Sequence, residues 1–481
     1  MSDTPKRVVI IGGGLSGLAA AHRLHEAAPG ALEIRVLEAG ARLGGVIQTE
    51  QIDDILLELG PDSMITEKPW AMDLCRRLGI DGDLIPTEAR FRKTLVVRDG
   101  KLMALPEAFQ MLAPGKIWPF LKSPILSLRG RLRVLLDIIL PRGGPPPGGD
   151  ETLASFVRRR FGKELLQRLA QPLVGGIYTA DPEKLSLATT LPRFLDLERN
   201  DRSVILGLRR QARRSATQAA SGARFNLFTA PRLGMGSLVE KLVAQLPPGT
   251  IEKETRATEV RREDHWIIET DKETYTADGL IIALPAPRAA EILQEIDPEL
   301  AHDLAGIPYA SSAVAGLAYR RSDLRHDPDF FGIISPVTEG RGIVAISVPS
   351  VKFQHRAPEE IVTLRVFLGG ALAANLLEKS DAELLSIARK EVTELLGAPA
   401  EPLLERLARW PDSMPQYHAG HTMKVLRIEE KAARYGKFAL AGNAYHGVGL
   451  PDAVHSGEQA ADSLLAQGIT GRPIARQDQP A

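Results

Sequence analysis

Residues 6–21 read KRVVIIGGGLSGLAAA. Val8 to Ile11 form a short β-branched run with charge before it and glycine after it, the pattern of a parallel strand buried on both faces. Gly12, Gly14 and Gly17 follow in G-x-G-x-x-G spacing and open a helix-like LAAAHRLHEA. A second strand, EIRVL at 33–37, ends in Glu38. Gly12 permits the tight turn, Gly14 lets backbone approach a pyrophosphate, and Gly17 allows close helix–strand packing. Gly13, Leu15 and Ser16 complete the loop, where a helix N-terminus offers free N–H groups and partial positive charge to phosphates. Glu38, with Ala39 beside it, would accept hydrogen bonds from an adenosine ribose, and an acid there disfavours a 2′-phosphate, so NADP is not expected.

The chain continues AGARLGGVIQTE from Ala39, with Arg42, Gly44, Gly45 and Val46, and then LELGPDSMI, with Gly60, Pro61, Asp62 and Ser63. A nicotinamide site does not need a second glycine pair just after the ribose acid. An elongated FAD does, because more backbone must lie against its pyrophosphate and ribityl chain. Near the far end stands AGNAYHGVGLPDAVHSGEQAA, from Ala441. FALA at 438–441 reads as a strand delivering Gly442, and the loop to Gly449 as a crossing over the flavin. Pro451 suits a first helical turn. Gly442, Val448, Gly449 and Leu450 are therefore candidate cofactor contacts. Asp452 is expected to contact its own helix N–H groups, and His446 to be a packing or surface residue.

The bulk numbers bound the rest. At 481 residues, two or three domains or lobes are expected. Lys and Arg total 60, as do Asp and Glu, so no global field recruits nucleic acid. The single cysteine, Cys75, excludes a disulfide framework and fits a reducing compartment. It lies far from the C-terminal loop, so the FAD is expected to be non-covalent. No metal site is expected, because the pair His418 and His421 lacks a nearby third ligand. Neither a secretory signal nor an apolar run of about 18 residues is present. The expected location is cytoplasmic, with peripheral contact on the inner face of the cell membrane left open.

In the middle, ARFRKTLVVRDGKLMALPEAF (89–109) reads as a hairpin turning at Asp99-Gly100. APGKIWPFLKSPILSLRGRLRVLLDIILP (113–141) mixes apolar and basic residues. It reads equally as an interfacial amphipathic segment and as inward-packed helices with solvated basic faces. PRGGPPPGGDET (141–152) is an exposed loop, and Arg158 to Arg160 a solvated helix face. DAELLSIARKEVTELLG is a helix capped by Asp381 and stopped by Gly397. Phe330, Phe331, Phe353 and Phe367 are read as core more readily than as cavity lining.

The fingerprint followed by E-x-x-x-R-x-G-G (Glu38 to Gly45) resembles the flavin amine oxidase superfamily. QPLVGGIYTADPEKLSLATTLPRF (171–194), GMGSLVEKL (234–242) and RWPDSMPQYHAGH (409–421) are similar to segments of the oxygen-dependent protoporphyrinogen/coproporphyrinogen oxidases. The resemblance runs from Arg7 to about Leu465. It implies an α/β fold (α+β overall): a Rossmann-like FAD-binding domain, a mixed-sheet substrate domain, and a helical lobe open to membrane association. FAD binding would draw on 1–88, 227–290 and 409–467, and the substrate domain on 89–110 and 291–408. The lobe would span 111–226, and 468–481 would be a flexible tail.

The implied reaction is six-electron oxidation of protoporphyrinogen IX in three flavin cycles, with dioxygen as acceptor and peroxide as product, in heme biosynthesis. Coproporphyrinogen III is the close rival. Other amine oxidase-superfamily enzymes and a flavin-free prenyl-protein carrier of the same fold are distant ones. A homodimer and hand-over to the next heme-pathway enzyme stay open. By the same resemblance Val260 lays its backbone against adenine and Trp410 contacts the cofactor. Carbonyls of a GGIY turn, Gly176 and Ile177, orient the reacting ring, and Arg92 or Lys93 holds a propionate. Two residues depart from the family pattern. Ala180 stands where glycine is usual, and Lys93 where an arginine is expected. Both bear on which porphyrinogen fits.

Overall fold

The computed structural model describes residues 5–143, 149–218, 227–399 and 401–470. The 468–481 tail and the 141–152 loop therefore fall partly outside the described residues. The first strand, Lys6–Ile11, is the middle of a five-stranded sheet ordered Ile251–Glu252, Leu32–Leu37, Lys6–Ile11, Gly279–Ile282, Phe438–Leu440. Every pairing in it is parallel, with Ile10 beside Val36 on one side and Ile281 on the other. Val8 and Ile10 enter one apolar core, Val9 and Ile11 another. Burial on both faces is what an unbroken β-branched run requires.

A second sheet of seven strands is ordered Leu404–Pro415, Tyr309–Arg320, Ile361–Gly369, Ala345–Ser347, Gly332–Ile334, Thr94–Arg98, Lys101–Ala104. The hairpin at Asp99-Gly100, both with positive φ, is its edge. Alternation along Tyr309–Arg320 and Ile361–Gly369 splits this sheet into two faces. Ala313, Ala315, Leu317, Leu364, Val366 and Leu368 pack in one core with the helix Asp381–Leu396. Gly316 lies on the other face, where a Cβ would come 3.0 Å from the Leu59 side chain, and Arg365 is its cross-strand partner. The seven-stranded sheet is thus pressed onto the turn that follows the strand Ile55–Glu58.

Helices from Ile117 to Gln218 form a third block with its own core, including Phe120, Phe156, Phe161 and Phe194. Two expectations need correction. Arg160 is not solvated: at 1% exposure its guanidinium meets Asp137 and Glu198, and Arg159 bridges Glu151 and Glu198. The helical period turns only Arg158 to the surface, where it pairs with Glu183. The cap of Asp381–Leu396 is Ser380, reciprocated by Glu383 in a capping box, and Asp381 is the first helical residue. Among the described residues no helix is long and apolar enough to cross a membrane.

Candidate functional site

The N-terminal glycine loop is sterically compelled. Gly12 has φ +110°, and a Cβ there would lie 2.5 Å from the Ala283 carbonyl oxygen. A Cβ on Gly17 would lie 1.9 Å from the Gly12 carbonyl oxygen. At Gly14 the nearest atom a Cβ would meet is the Gly45 Cα, 3.9 Å away. Gly14 is also the N-cap of Leu15–Ala27, with no side-chain cap and no acid in the first turn. The first N–H groups of that helix therefore have no side-chain cap, which leaves them to an anion.

The second glycine pair docks directly on the first, because the Gly44 N–H donates to the Gly13 carbonyl at 2.8 Å. Arg42 ties this segment down through the carbonyls of Leu43, Gly45 and Ile47, and its guanidinium lies 5.8 Å from the Trp410 ring. Trp410 Nε1 donates to the Leu59 carbonyl at 2.8 Å. A Cβ on Gly60 would fall 1.8 Å from the Val46 carbonyl oxygen. Val46, Gly60 and Trp410 therefore meet at one place, reached by the last strand of the seven-stranded sheet.

Glu38 accepts from the N–H groups of Gly13 (2.9 Å) and Gly40 (2.7 Å). Beside it opens a cavity of about 390 Å³ walled by Gly12, Glu38, Ala39, Thr255 to Thr258 and Leu284, within the size range of small-ligand sites. The wall from the strand Ala257–Arg262 is Ala257 and Thr258. The Val260 side chain is fully buried in the core beneath.

The C-terminal loop reaches the same region. Gly442 has φ +132° and its N–H donates to Ser456 Oγ at 2.9 Å. Gly449 is the N-cap of Leu450–Ala466, with Pro451 in the first turn and no side-chain cap. This helix lies so close to the first that a Cβ on Gly457 would stand 2.1 Å from the Ser16 carbonyl oxygen. Asp452 does not serve its own helix. It pairs with Lys68 at 2.6 Å and fills the space against Gly447 and Gly449. His446 is exposed against Glu429. His421 is buried, stacked on Tyr417, with Nε2 at the Tyr445 carbonyl. Burial and neighbouring cations lower its pKa to about 4, the Tyr445 carbonyl opposing them.

The GGIY segment is the last turn of the helix Gln171–Tyr178, not a separate turn, and Thr179 closes it in the left-handed conformation. The carbonyl of Thr179 accepts from the Ala371 N–H at 2.8 Å, and that of Tyr178 from Gln416 Nε2 at 3.1 Å. Two cavities flank this clasp. One of about 230 Å³ is lined by Gly175, Thr179, Ala180, Ser335 and Arg341. The other, of about 530 Å³, is lined by Asp181, Lys184, Tyr309, Gln416 and His418. Ile177 is half exposed, and a Cβ on Gly176 would touch nothing within 4 Å. Arg92 reaches Thr87 (3.3 Å) and Lys93 pairs with exposed Asp329 at 2.5 Å; neither lines these cavities.

Sequence reading missed a charged group behind Gly60–Ser63: buried Arg356, Arg365 and Glu58, with Lys352 partly buried beside them. One signal was present, since Arg365 is a lone charge within the apolar strand IVTLRVFLG. Burial opposes ionisation of Asp62, yet Lys352 and Arg365 hold its pKa well below the usual carboxylate range. Burial raises that of Glu58.

Residues 15–465 match the family model described as flavin containing amine oxidoreductase. Coproporphyrinogen III oxidase of Bacillus subtilis (strain 168) is 32% identical over 471 residues, 97% of this chain and 99% of that protein. Protoporphyrinogen oxidase 1, chloroplastic, of Arabidopsis thaliana is 28% identical, over 94% of this chain and 87% of that protein. Among solved structures, a protein from Exiguobacterium sp. 255-15 provisionally assigned as a protoporphyrinogen oxidase superposes with TM-score 0.85 at 29% identity, covering 96% of this chain and 99% of its own. Reduced UDP-galactopyranose mutase shares the fold at TM-score 0.72 and 16% identity, over 98% of each chain.

Proposed function

The chain belongs to the flavin containing amine oxidoreductase family, and on that premise we propose that it is an FAD-dependent oxidase converting coproporphyrinogen III to coproporphyrin III in heme biosynthesis. The observation that carries the cofactor is a pair of helix N-termini without side-chain caps, at Gly14 and Gly449, on two helices that pack together at Gly457. Gly12 to Gly17 and the cavity at Glu38 would hold the pyrophosphate and adenosine. Arg42 to Val46, Gly60 to Ser63 and Trp410 would hold the middle, and Gly442 with Val448 to Leu450 the pyrimidine side. When bound, FAD supplies a hydride acceptor.

The protein's own part is to bind, orient and exclude water. Of the last carbonyls of Gln171–Tyr178, that of Gly175 accepts from the Thr179 N–H and that of Tyr178 from Gln416. Those of Gly176 and Ile177 are left to orient a pyrrole N–H. Lys184 and Arg341 line the two flanking cavities and are proposed to meet propionates. Each porphyrinogen loses six hydrogens as three dioxygen molecules become three hydrogen peroxides.

Coproporphyrinogen III is favoured over protoporphyrinogen IX because the B. subtilis relative, similar end to end, is named for it. The Arabidopsis relative keeps protoporphyrinogen IX as the second reading. Turnover of the two side by side, followed by porphyrin fluorescence and peroxide, is expected to favour coproporphyrinogen III with three peroxides per porphyrin. A clear preference for protoporphyrinogen IX reverses the substrate, and protein that releases no FAD on denaturation overturns the whole reading.

Peripheral membrane contact has its own observation. Trp118 is 74% exposed, and Leu128, Leu132, Leu136 and Ile139 make one exposed stripe beside Lys122 and Arg129, a composition suited to an anionic bilayer. The protein is expected to co-sediment with phosphatidylglycerol vesicles at low salt, and Leu132→Asp to weaken this several-fold. Absence of wild-type binding sinks the membrane proposal and leaves the enzyme untouched.

A further inference from the structure

The Gly60–Ser63 segment rests on a group of charges, buried except for the partly buried Lys352, that no step above uses. Asp62, 8% exposed, is shared by two cations. Lys352 Nζ donates to Asp62 Oδ1 and Ser63 Oγ, each at 2.9 Å. Arg365 Nη1 lies 3.1 Å from Asp62 Oδ2, and its Nη2 donates to the Gly60 carbonyl. Behind them stand Glu58 and Arg356, 0% and 1% exposed. Glu58 accepts from the Met235 N–H and Thr49 Oγ1, and Arg356 donates to the carbonyls of Pro231 and Arg232. Glu58 and Arg356 offset one another at most, and Asp62 cancels one of its two cations. At least one unit of positive charge is left over, at low dielectric where it acts strongly. Arg365 Nε is also buried with no hydrogen-bond partner, so tethering the turn does not exhaust the donors of this side chain.

Excess buried charge is costly to a fold unless an anion answers it. A neutral flavin that takes a hydride, two electrons and one proton, becomes such an anion. Resting on the flavin reading above, we propose that Lys352 and Arg365 are positioning residues that place a fixed positive charge behind the Gly60–Ser63 turn and favour the reduced, anionic flavin over the oxidised one. The charge acts through space, like other preorganised electrostatics aimed at charge that develops during reaction. A purely structural role, pinning the turn, is the competing account, and the sign of the charge separates the two.

The test compares flavin midpoint potentials in the purified, FAD-loaded proteins. Lys352→Gln and Arg365→Gln remove positive charge while keeping a hydrogen-bonding side chain, and each is expected to lower the preference for reduced flavin at least tenfold, about 30 mV for a two-electron couple. Asp62→Asn removes negative charge and is expected to shift the potential the opposite way. Lys352→Arg should stay within threefold of wild type. Shifts of the same sign in all three neutralised variants, or no shift, overturn the inference. If one glutamine variant fails to hold flavin the other carries the comparison, and failure of both counts against the inference. Wild-type protein that binds no FAD overturns the functional reading itself, a result distinguishable from bound flavin with unmoved potentials.

Discussion

Gly17→Ala is expected to be isolated without flavin. Its new methyl would stand 1.9 Å from the Gly12 carbonyl oxygen. Gly12 is itself hemmed in, because the Ala283 carbonyl oxygen lies 2.5 Å from where a Cβ on Gly12 would stand. Nor can the helix back away, since its Ser16 carbonyl already lies where Gly457 permits no Cβ. The first strand, the first helix and the C-terminal helix thus form a wedge with no room for one carbon. Overpacking of this kind costs about 1–3 kcal/mol, and more where backbone rather than side chain must yield. Spent against the loop proposed to hold the phosphates, about 3 kcal/mol corresponds to roughly a hundredfold loss of affinity. The measurement is FAD per chain after gel filtration, followed by titration of the stripped protein. Gly82→Ala, whose Cβ would meet nothing within 4 Å, should keep its flavin. A full complement of FAD in Gly17→Ala would show that the close approach is not needed for binding.

Arg160→Met is expected to destabilise the helical lobe by about 3–5 kcal/mol, the range for stripping one partner from a buried ion pair. The fork of Arg160 is fully used. Nε donates to Asp137 Oδ1 (2.6 Å), Nη1 to the Pro141 carbonyl (2.8 Å) and Glu198 (3.3 Å), and Nη2 to the carbonyls of Asp137 (2.9 Å) and Arg202 (2.8 Å). Asp137, 0% exposed, accepts in turn from Ser203 Oγ and the Ile205 N–H, where the helix Val204–Gln218 begins. Methionine fills the volume but leaves that carboxylate without its cation and three carbonyls without a donor. Urea unfolding should show the loss, while Arg158→Met, which gives up only the exposed pair with Glu183, should change stability by no more than about 0.5 kcal/mol. Equal effects from the two substitutions would mean that Arg160 is not the hub of the lobe.

The contrast between Arg158 and Arg160 shows where sequence reading runs out. As a run of like charges the three arginines look equivalent. Only the packing of 137–141 and 198–205 around one side of their helix makes Arg160 interior. Asp452 teaches the same lesson. Its place in a first helical turn suggests local capping, but Lys68, distant in sequence, is what reaches it. The resemblance named Val260, and the fold lays Ala257 and Thr258 of the same strand along the cavity beside Glu38. By contrast, the strand, glycine turn, helix and acid at 6–38 were legible because each rule there acts within a few residues.

By itself, then, the sequence determined the parallel β-strand core, the first glycine turn and the second glycine-rich loop, since backbone sterics and strand or helix periodicity are local properties of the chain. The tertiary structure alone decided that Trp410 closes on Leu59, that Gly457 admits the first helix, and that Lys352 and Arg365 share Asp62 beneath the Gly60 turn. Burial is a property of what packs around a group. The same lysine or arginine is a solvated charge or an interior one according to which distant segments the fold lays over it.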